Sequence, residues 1–133
     1  MPIDVRFEGE ILRITFSGAL SQEDLSELTQ SVMALEQQSA VIPHRITDMR
    51  PATGMNIDFH SVYELARLRR ATRFPNTFKS ALIASDLVHV GFARMFQTLN
   101  DHPSIFIEIF PDEPQALAWI HTPGFDPPLL SPS

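Results

Sequence analysis

Hydrophobic and polar positions follow two different periods along this chain, and the period changes several times. Alternation with a period of two predicts β-strands at residues 3–7, 11–16, 44–49, 78–84 and 105–110. Between these segments the apolar residues recur every three or four positions, as they do on the buried face of an α-helix. One predicted helix has the stripe Leu25, Leu28, Val32 and Leu35, and a later one carries Val88, Phe92, Met95, Phe96 and Leu99.

Polar residues mark where these helices begin. Ser21 is followed three positions later by Asp24, a spacing that satisfies free backbone amides and places negative charge at the positive end of the helix dipole. Asp58 is expected to cap a second helix. Asp112 precedes the last helix, with Pro114 in the first turn, where a missing amide costs nothing.

The order of these elements predicts the fold class. Glu8 and Gly9 separate the first two strands, and glycine supplies the positive φ of a tight turn, so this pair should be antiparallel. The later strands alternate with helices, which implies right-handed crossovers and a mainly parallel sheet. We therefore expect an α/β fold in the order ββαβαβαβα, with a mixed, mainly parallel sheet and helices on both faces. The central strands should include IFIEIF and SALIA, which contain little polarity, and the buried strand residues should be Ile14, Phe16, Ile46, Leu82, Ile107 and Ile109.

Composition narrows the class of protein. With 133 residues, 44% hydrophobic and 20% charged, the chain is expected to form one soluble globular domain over residues 1–121 and a proline-rich tail over residues 122–133. A net charge of −6 argues against nucleic-acid partners and anionic membrane surfaces. The acidic N-terminus differs from a signal peptide, and the absence of cysteine fits a cytoplasmic protein. No apolar run approaches the roughly 20 residues that span a bilayer.

Three segments carry a resemblance to a known family: ILRITFSGAL with the helix after it, RITDMR, and IFIEIFPDEPQALAWI. They resemble STAS-type domains, and especially the stand-alone bacterial anti-sigma-factor-antagonist-like (SpoIIAA-like) branch, over about residues 3–120. The resemblance implies a regulatory module that binds a partner. In regulatory members a strand ends in an aspartate, which Asp48 matches, and a serine near the next helix start is phosphorylated. Asn56 and Ile57 stand at that place here, and Ser61 lies further on, so this chain lacks the usual phosphorylatable serine.

The carboxyl ends of the strands are the expected site, because strand ends and the loops after them form a crevice in an open α/β sheet. The candidates for ligand or partner binding are Asp48, Arg50, Thr53, Asp58, Ser85, Asp86 and His89. Asp48, Asp86 and Asp112 have the oxygen ligands that Mg²⁺ prefers, but an aspartate beside a helix start more often caps the helix. We therefore expect no metal and no cofactor.

Ser85, Asp86 and His89 contain the residue types of a hydrolytic triad. However, the chain lacks the GxSxG turn that holds such a serine exposed and supplies an oxyanion hole. His89 is therefore interpreted as a solvated histidine in the first turn of its helix. No catalytic residue is expected.

Positive charge is concentrated in ELARLRRATRFPNTFK, where the candidate anion-binding residues are Arg67, Arg69, Arg70 and Arg73. Such side chains also complement the dipole at a helix C-terminus without binding any anion. Arg69 falls on the apolar face of its helix, so either its stem extends to solvent or an acid meets it. A crossover helix runs antiparallel to its strands. The cluster should therefore lie at the end of the sheet opposite Asp48.

Two classes of function remain open. In the first, the chain is a non-enzymatic regulatory or interaction module whose surface around residues 50–58 meets a protein partner or a small acidic or apolar ligand. In the second, it binds a small molecule or lipid in the same crevice, lined by Met49, Met55 and Phe59. A closed pocket would favour the ligand, whereas an exposed apolar patch would favour the partner.

The proline-rich tail carries one further prediction. Phe125, Leu129 and Leu130 are apolar side chains in a segment whose prolines reduce the entropy lost on docking. We expect the tail to lie along an apolar groove, either of a second subunit in a homodimer or of its own domain.

Overall fold

Seven strands and four helices form the fold within residues 2–123, the part of the chain that the computed structural model describes. The strands are β1 (Ile3–Glu8), β2 (Ile11–Phe16), β3 (Gly18–Ser21), β4 (Arg45–Asp48), β5 (Ala52–Asn56), β6 (Phe78–Ile83) and β7 (Ile105–Phe110). The helices are α1 (Gln22–Gln37), α2 (Phe59–Ala71), α3 (Leu87–Leu99) and α4 (Glu113–Ile120).

The main sheet has the strand order β1-β2-β4-β6-β7. β1 pairs antiparallel with β2, and all other neighbours in this sheet are parallel. From β2 onward each strand is added on the same side of the previous one, so right-handed crossovers place α1, α2 and α3 on one face. α4 follows β7 and packs on the opposite face. The predicted α/β class, with a mixed, mainly parallel sheet and helices on both faces, is confirmed.

Two hydrophobic layers cover the sheet, because successive residues of a strand point to opposite faces. On β6, Leu82 belongs to the larger layer under α1, α2 and α3, and Ile83 belongs to the smaller layer under α4. Trp119 on α4 packs in the smaller layer. Every residue of β4 and β6 is buried. These two strands therefore form the centre of the molecule.

The predicted turn and helix starts are present. Gly9 has a φ of +64° between β1 and β2, a conformation that favours glycine. The Ser21 side chain accepts a hydrogen bond from the amide of Asp24, whose carboxylate accepts one from the backbone amide of Ser21. Asp58 and Asp112 each accept from the amide three residues further on. These contacts fix where α1, α2 and α4 begin.

Two short parallel strands, β3 and β5, form a second sheet that the sequence pattern did not predict. They have four and five residues and contain glycine, so each is too short to display a clear alternation. The pairing passes from Gly18 opposite Ala52 to Ala19 opposite Gly54. Thr53 is therefore the extra residue of a bulge in a segment that was expected to be a loop.

β7 is an edge strand of the main sheet, so the expectation that IFIEIF is central is wrong. Ile109 is only partly buried, which corrects its prediction as a buried residue, and Glu108 is exposed. IFIEIF is rich in apolar residues because its two faces pack on both hydrophobic layers. The other five strand residues predicted to be buried are buried: Ile14, Phe16, Ile46, Leu82 and Ile107.

α4 ends against the side chain of Lys79, which is the one lysine of the sequence. Lys79 lies near the start of β6 and is 1% exposed. Its Nζ donates hydrogen bonds to the backbone carbonyl oxygens of Trp119, Ile120 and Thr122. A cation complements the negative end of a helix dipole, so this contact joins the end of α4 to the sheet.

Within residues 2–123, no helix is both long and apolar enough to cross a membrane. The expected tail anchors Phe125, Leu129 and Leu130 lie outside the described residues. Docking of the tail and formation of a homodimer therefore stay predictions.

Candidate functional site

Asp48 and Arg50 form a bidentate ion pair at the carboxyl end of β4. The Asp48 residue is 5% exposed, and its two carboxylate oxygens accept from Nε and Nη2 of Arg50, each at 2.9 Å. The backbone amide of Arg50 donates to the same carboxylate at 3.0 Å. Arg50, in the turn after β4, thus supplies the positive charge that neutralises Asp48 at the end of that strand. The Asp48 carboxylate is engaged by the protein itself.

Arg13 and Glu113 extend this ion pair, and neither was predicted from the sequence. Arg13 on β2 donates through Nη2 to Oε1 of Glu113 at 2.8 Å, and Nη2 lies 3.4 Å from Oδ2 of Asp48. Burial alone would raise the pKa of Asp48, but the hydrogen bonds and charge of Arg50, with the charge of Arg13, hold this pKa below its usual value. Thr15, two residues after Arg13, pairs with Asp48 in the parallel register of β2 and β4, and nothing in the sequence alone indicated that register.

Thr53 and Asp58 have separate surroundings. Thr53 is exposed on β5. Asp58 caps α2 by accepting from the amide of Ser61 at 2.8 Å, and it also accepts from the side-chain nitrogen of Gln22 at 3.0 Å. Ser61, the nearest substitute for the missing family serine, therefore lies in the first turn of α2. Asp58 joins the starts of α1 and α2.

His89 is buried, so its interpretation as a solvated histidine is wrong. The residue is 3% exposed, and its Nε2 lies 3.0 Å from the carbonyl oxygen of Ala52. Its Nδ1 lies 3.2 Å from Oδ2 of Asp86. The ring thus contacts β5, a strand that the sequence pattern did not predict. Both ring nitrogens face groups other than Ser85, which is exposed just after β6.

The three aspartates that follow strands do not gather into a metal site. Asp48 is held by Arg50, while Asp86 and Asp112 cap α3 and α4 by accepting from backbone amides. In the part of the chain that the structure describes, no group of three or more His, Cys, Asp or Glu side chains is placed to hold a metal ion. The cap interpretation of Asp86 and Asp112 is confirmed by these amide contacts.

Exposed apolar side chains stand at the starts of α2 and α3. Phe59 and Tyr63 are 59% and 37% exposed, and Leu87 and Val88 are 91% and 65% exposed. The two rings stack with their centroids 6.2 Å apart. Val88 faces solvent, so the expectation that it belongs to the buried stripe of α3 with Phe92 is wrong. We call Phe59, Tyr63, Leu87 and Val88 the helix-start patch.

Met49, Met55 and Phe59 do not line a common crevice, which corrects the expected ligand site. Met49 is 1% exposed and belongs to the larger core layer. Met55 packs against that layer, whereas Phe59 lies on the surface. Met49 directly follows the buried strand β4, and its side chain continues the core.

The arginine cluster of α2 divides into exposed and buried members. Arg67 pairs with Glu64 on the surface at 2.9 Å, and Arg70 and Arg73 are exposed. Arg69 is 8% exposed. One anion would have to contact both the core and the surface to reach all four arginines. They therefore do not form a single anion site.

Of the two alternatives for Arg69, an acid meets it. Both Nη atoms donate to the carboxylate of Glu36, with Nη2 at 2.9 Å from Oε2. Arg45 also approaches this carboxylate, with its Nη2 at 2.8 Å from Oε2. All three residues are buried. Arg45 begins β4 and Asp48 ends it, so this cluster lies at the opposite end of the sheet from Asp48.

The carboxylate of Glu36 forms ion pairs with two buried guanidinium groups, those of Arg45 and Arg69. Burial would raise the pKa of Glu36, but the hydrogen bond from Arg69 and the charges of Arg45 and Arg69 outweigh it and lower this pKa. Burial lowers the pKa of Arg45 to about 10, because the charge of Glu36 offsets it only in part and the charge of Arg69 adds to the lowering. The cluster is therefore short of negative charge. No sequence pattern indicated Glu36 or Arg45, since both are distant from Arg69 along the chain.

Comparison with known proteins identifies the fold. No family model matches the sequence, and no curated protein matches it. Among solved structures, the chain is similar to an uncharacterised protein of the DUF3478 family with a SpoIIAA-like fold from Shewanella loihica PV-4. The two share 19% sequence identity with a TM-score of 0.56, over 89% of this chain and 91% of the other. This chain has a SpoIIAA-like fold, which confirms the fold that its resemblance to STAS-type domains implied.

Proposed function

We propose that this SpoIIAA-like chain is a non-enzymatic regulatory module that binds a protein partner through the helix-start patch. The observation that carries the proposal is the exposure of four large apolar side chains at one end of the molecule. Single exposed apolar residues are normal on protein surfaces, but neighbouring ones mark interaction sites. α2 and α3 contact each other, so the two pairs of side chains occupy adjacent helices.

Acidic residues beside the patch define the chemistry of the partner. Asp58 directly precedes Phe59, and Asp86 directly precedes Leu87, and both aspartates are exposed. A protein surface with apolar residues and a basic rim complements this arrangement. The stacked rings of Phe59 and Tyr63 supply large, rigid contact area of the kind that dominates binding energy at interfaces.

The polar residues at the same end bind one another, which favours a binding role over a catalytic one. Asp48 is held by Arg50 and approached by Arg13. His89 faces Ala52 and Asp86 instead of Ser85. Nucleophilic and general-base catalysis need a base within hydrogen-bond reach of the group that it activates. The arrangement of Ser85 and His89 does not meet that requirement.

The test compares the proteins that co-purify from the source cells with the wild-type chain, with Leu87→Ser/Val88→Ser, and with the control Val41→Ser. Val41 is 69% exposed and precedes β4, so it matches the loss of an exposed apolar side chain at the other end of the sheet. We expect a partner that the wild type and Val41→Ser capture and the double variant does not. With that partner purified, the double variant should bind about tenfold more weakly or worse.

Two outcomes oppose the proposal. An identical set of captured proteins for all three chains would exclude the helix-start patch as the binding surface. Turnover of ester or nucleotide substrates that disappears in Ser85→Ala or His89→Ala would show that the module is an enzyme. The two outcomes are separate, since the first concerns the surface and the second concerns the chemistry.

A further inference from the structure

A partly open cavity of about 90 Å³ lies between the main sheet and the helices α1, α2 and α3. Its walls are mainly apolar and include Ile14, Leu25, Val32, Leu65, Leu82 and Phe92. It also has polar lining residues, which include Arg45, Thr47, Ser80 and Asn100. Arg45 and Ser80 are register partners on β4 and β6, at the amino-terminal half of the sheet. The cavity thus combines an apolar body with a polar end.

Two of these polar side chains are buried with unused hydrogen-bonding atoms. Arg45 is 5% exposed, and its Nη2 pairs with Oε2 of Glu36 at 2.8 Å, whereas its Nε has no hydrogen-bond partner within residues 2–123. Asn100 is 3% exposed, and its Oδ1 also has no hydrogen-bond partner among the described residues. Buried polar atoms are nearly always hydrogen-bonded in proteins, so the unused Nε donor of Arg45 indicates a missing acceptor beside the cavity. The Oδ1 atom of Asn100 is itself an acceptor, so it calls for a donor such as a water molecule and not for the anion.

The charge at this end of the cavity indicates what kind of group is missing. Arg45 and Arg69 both line the cavity, and both pair with the single carboxylate of Glu36. Two guanidinium groups and one carboxylate leave one positive charge in the core. The Arg45 guanidinium also lies over the ring of Phe78, at 4.5 Å from its centroid, which is a weaker partner than an anion. A second carboxylate would balance the charge.

We propose that this cavity binds a short monocarboxylate, with its carboxylate on Arg45 and its hydrocarbon part among the apolar side chains of α1, α2 and the sheet. A guanidinium group is the side chain best suited to hold a carboxylate, because its donors match the two oxygens. The neighbouring hydroxyl groups of Thr47 and Ser80 offer further donors to the same head group.

The volume of the cavity limits the length of the ligand. A cavity of ~150 Å³ in another protein takes up a benzene molecule. The cavity of about 90 Å³ is smaller, so the structure favours an acid of about four or five carbons over a long-chain lipid. This site is distinct from the helix-start patch and lies toward the other end of the sheet. The test of this ligand site is therefore independent of the test of the proposed protein partner.

The direct test is a titration of the full chain with butyrate, followed by NMR of the methyl groups of Val32 and Leu65, which line the cavity. Butyramide, which has nearly the same shape and no charge, is the matched control ligand. We expect saturable shifts of these methyl signals with butyrate at millimolar concentrations, and binding of butyramide at least about tenfold weaker, because the charged hydrogen bonds are lost.

Three variants assign the site. Arg45→Gln removes the charge and should weaken butyrate binding about tenfold or more. Thr29→Phe adds a ring at the half-exposed wall of the cavity and should abolish binding without touching Arg45. The control Arg67→Gln removes an exposed guanidinium from α2 and should leave binding unchanged.

The proposal is overturned if butyrate gives no saturable shift at tens of millimolar, which would mean that water molecules fill the polar end. Equal binding of butyrate and butyramide would also overturn it. If Arg45→Gln does not fold, the comparison of the two ligands and the Thr29→Phe variant still decide the question.

Discussion

At the scale of single residues, Glu36 has the largest expected effect on stability. Its carboxylate contacts both Arg45 and Arg69, and all three side chains are buried. Glu36→Gln should lower the free energy of unfolding by about 3–5 kcal/mol, because it leaves buried guanidinium groups without a counter-charge. Urea unfolding at neutral pH measures this loss. The control Glu64→Gln breaks an exposed ion pair and should change little, and an equal loss in both variants would contradict the prediction.

The same carboxylate should make stability depend on pH. Arg69 and Arg45 lower the pKa of Glu36 below its ordinary 4.5, so the unfolded chain binds the proton more readily than the folded chain. The stabilisation is then complete above about pH 4.5 and is lost as the pH falls through the lower pKa of the folded state. Urea unfolding at a series of pH values should show a flatter acid limb in Glu36→Gln than in the wild type. Parallel acid limbs would assign the loss to Asp48 and the other carboxylates.

Residue patterns indicated part of this cluster in advance. Arg69 falls on the apolar face of a predicted helix. Its guanidinium group was therefore expected either to pair with an acidic side chain or to extend to solvent. Glu36 is 33 positions away, and no local pattern connects the two. Asp48 was found because it ends a strand, but its partner Arg13 comes from a neighbouring strand. Side chains that meet across the sheet depend on register, which one sequence does not specify.

At the scale of elements, the contact between α3 and β5 depends on His89. His89→Leu removes the ring nitrogen that faces the carbonyl oxygen of Ala52 and should cost about 1–3 kcal/mol. Because β5 pairs with the short strand β3 alone, the loss should loosen β5 first. Hydrogen exchange should become faster at residues 52–56 and stay slow in β4.

Leu87→Ala is the control for this change, because Leu87 is 91% exposed in the same turn and its loss leaves both contacts of the His89 ring in place. This variant should leave exchange at residues 52–56 close to that of the wild type. Faster exchange across β4 in His89→Leu would mean that the histidine stabilises the whole core and not one strand.

Elements with a clear apolar pattern were predictable, including the four-residue strand β4, whereas the glycine-containing strands β3 and β5 were not. The five strands of the main sheet and all four helices within the described residues match predicted segments. β3 and β5 escaped detection because four or five residues with glycine give no measurable alternation. That omission bears on the error at His89, since the missing strand carries the carbonyl group of Ala52 that its ring contacts. The undetected strand β5 therefore affected the interpretation of His89 in the candidate site.

At the scale of the whole molecule, the two hydrophobic layers share their central strands. β4 and β6 are buried on both faces and contribute side chains to both layers. The two layers are therefore expected to unfold together. Trp119 reports on the smaller layer, and α1, α2 and α3, which pack on the larger layer, supply most of the helical signal. Tryptophan fluorescence and far-ultraviolet circular dichroism should therefore give the same urea midpoint.

The variant Ala116→Gly in α4 tests whether the fluorescence and circular dichroism midpoints change together. Ala116 is fully buried in the smaller layer, and glycine in a helix interior costs about 1 kcal/mol. Both midpoints should fall together. A shift of the fluorescence midpoint alone would mean that α4 unfolds separately from the rest of the described chain.

Lys79 has a consequence for chemical labelling. It is the one lysine of the sequence, and its amino group is buried against the last carbonyl oxygens of α4. An acylating reagent should therefore modify the terminal amine of the folded chain and leave Lys79 untouched. Unfolding exposes the second amine, so the number of acyl groups on each intact molecule, read by mass spectrometry, distinguishes folded from unfolded copies in one sample. The chain thus contains an internal reporter of its own unfolding that needs no dye and no substitution.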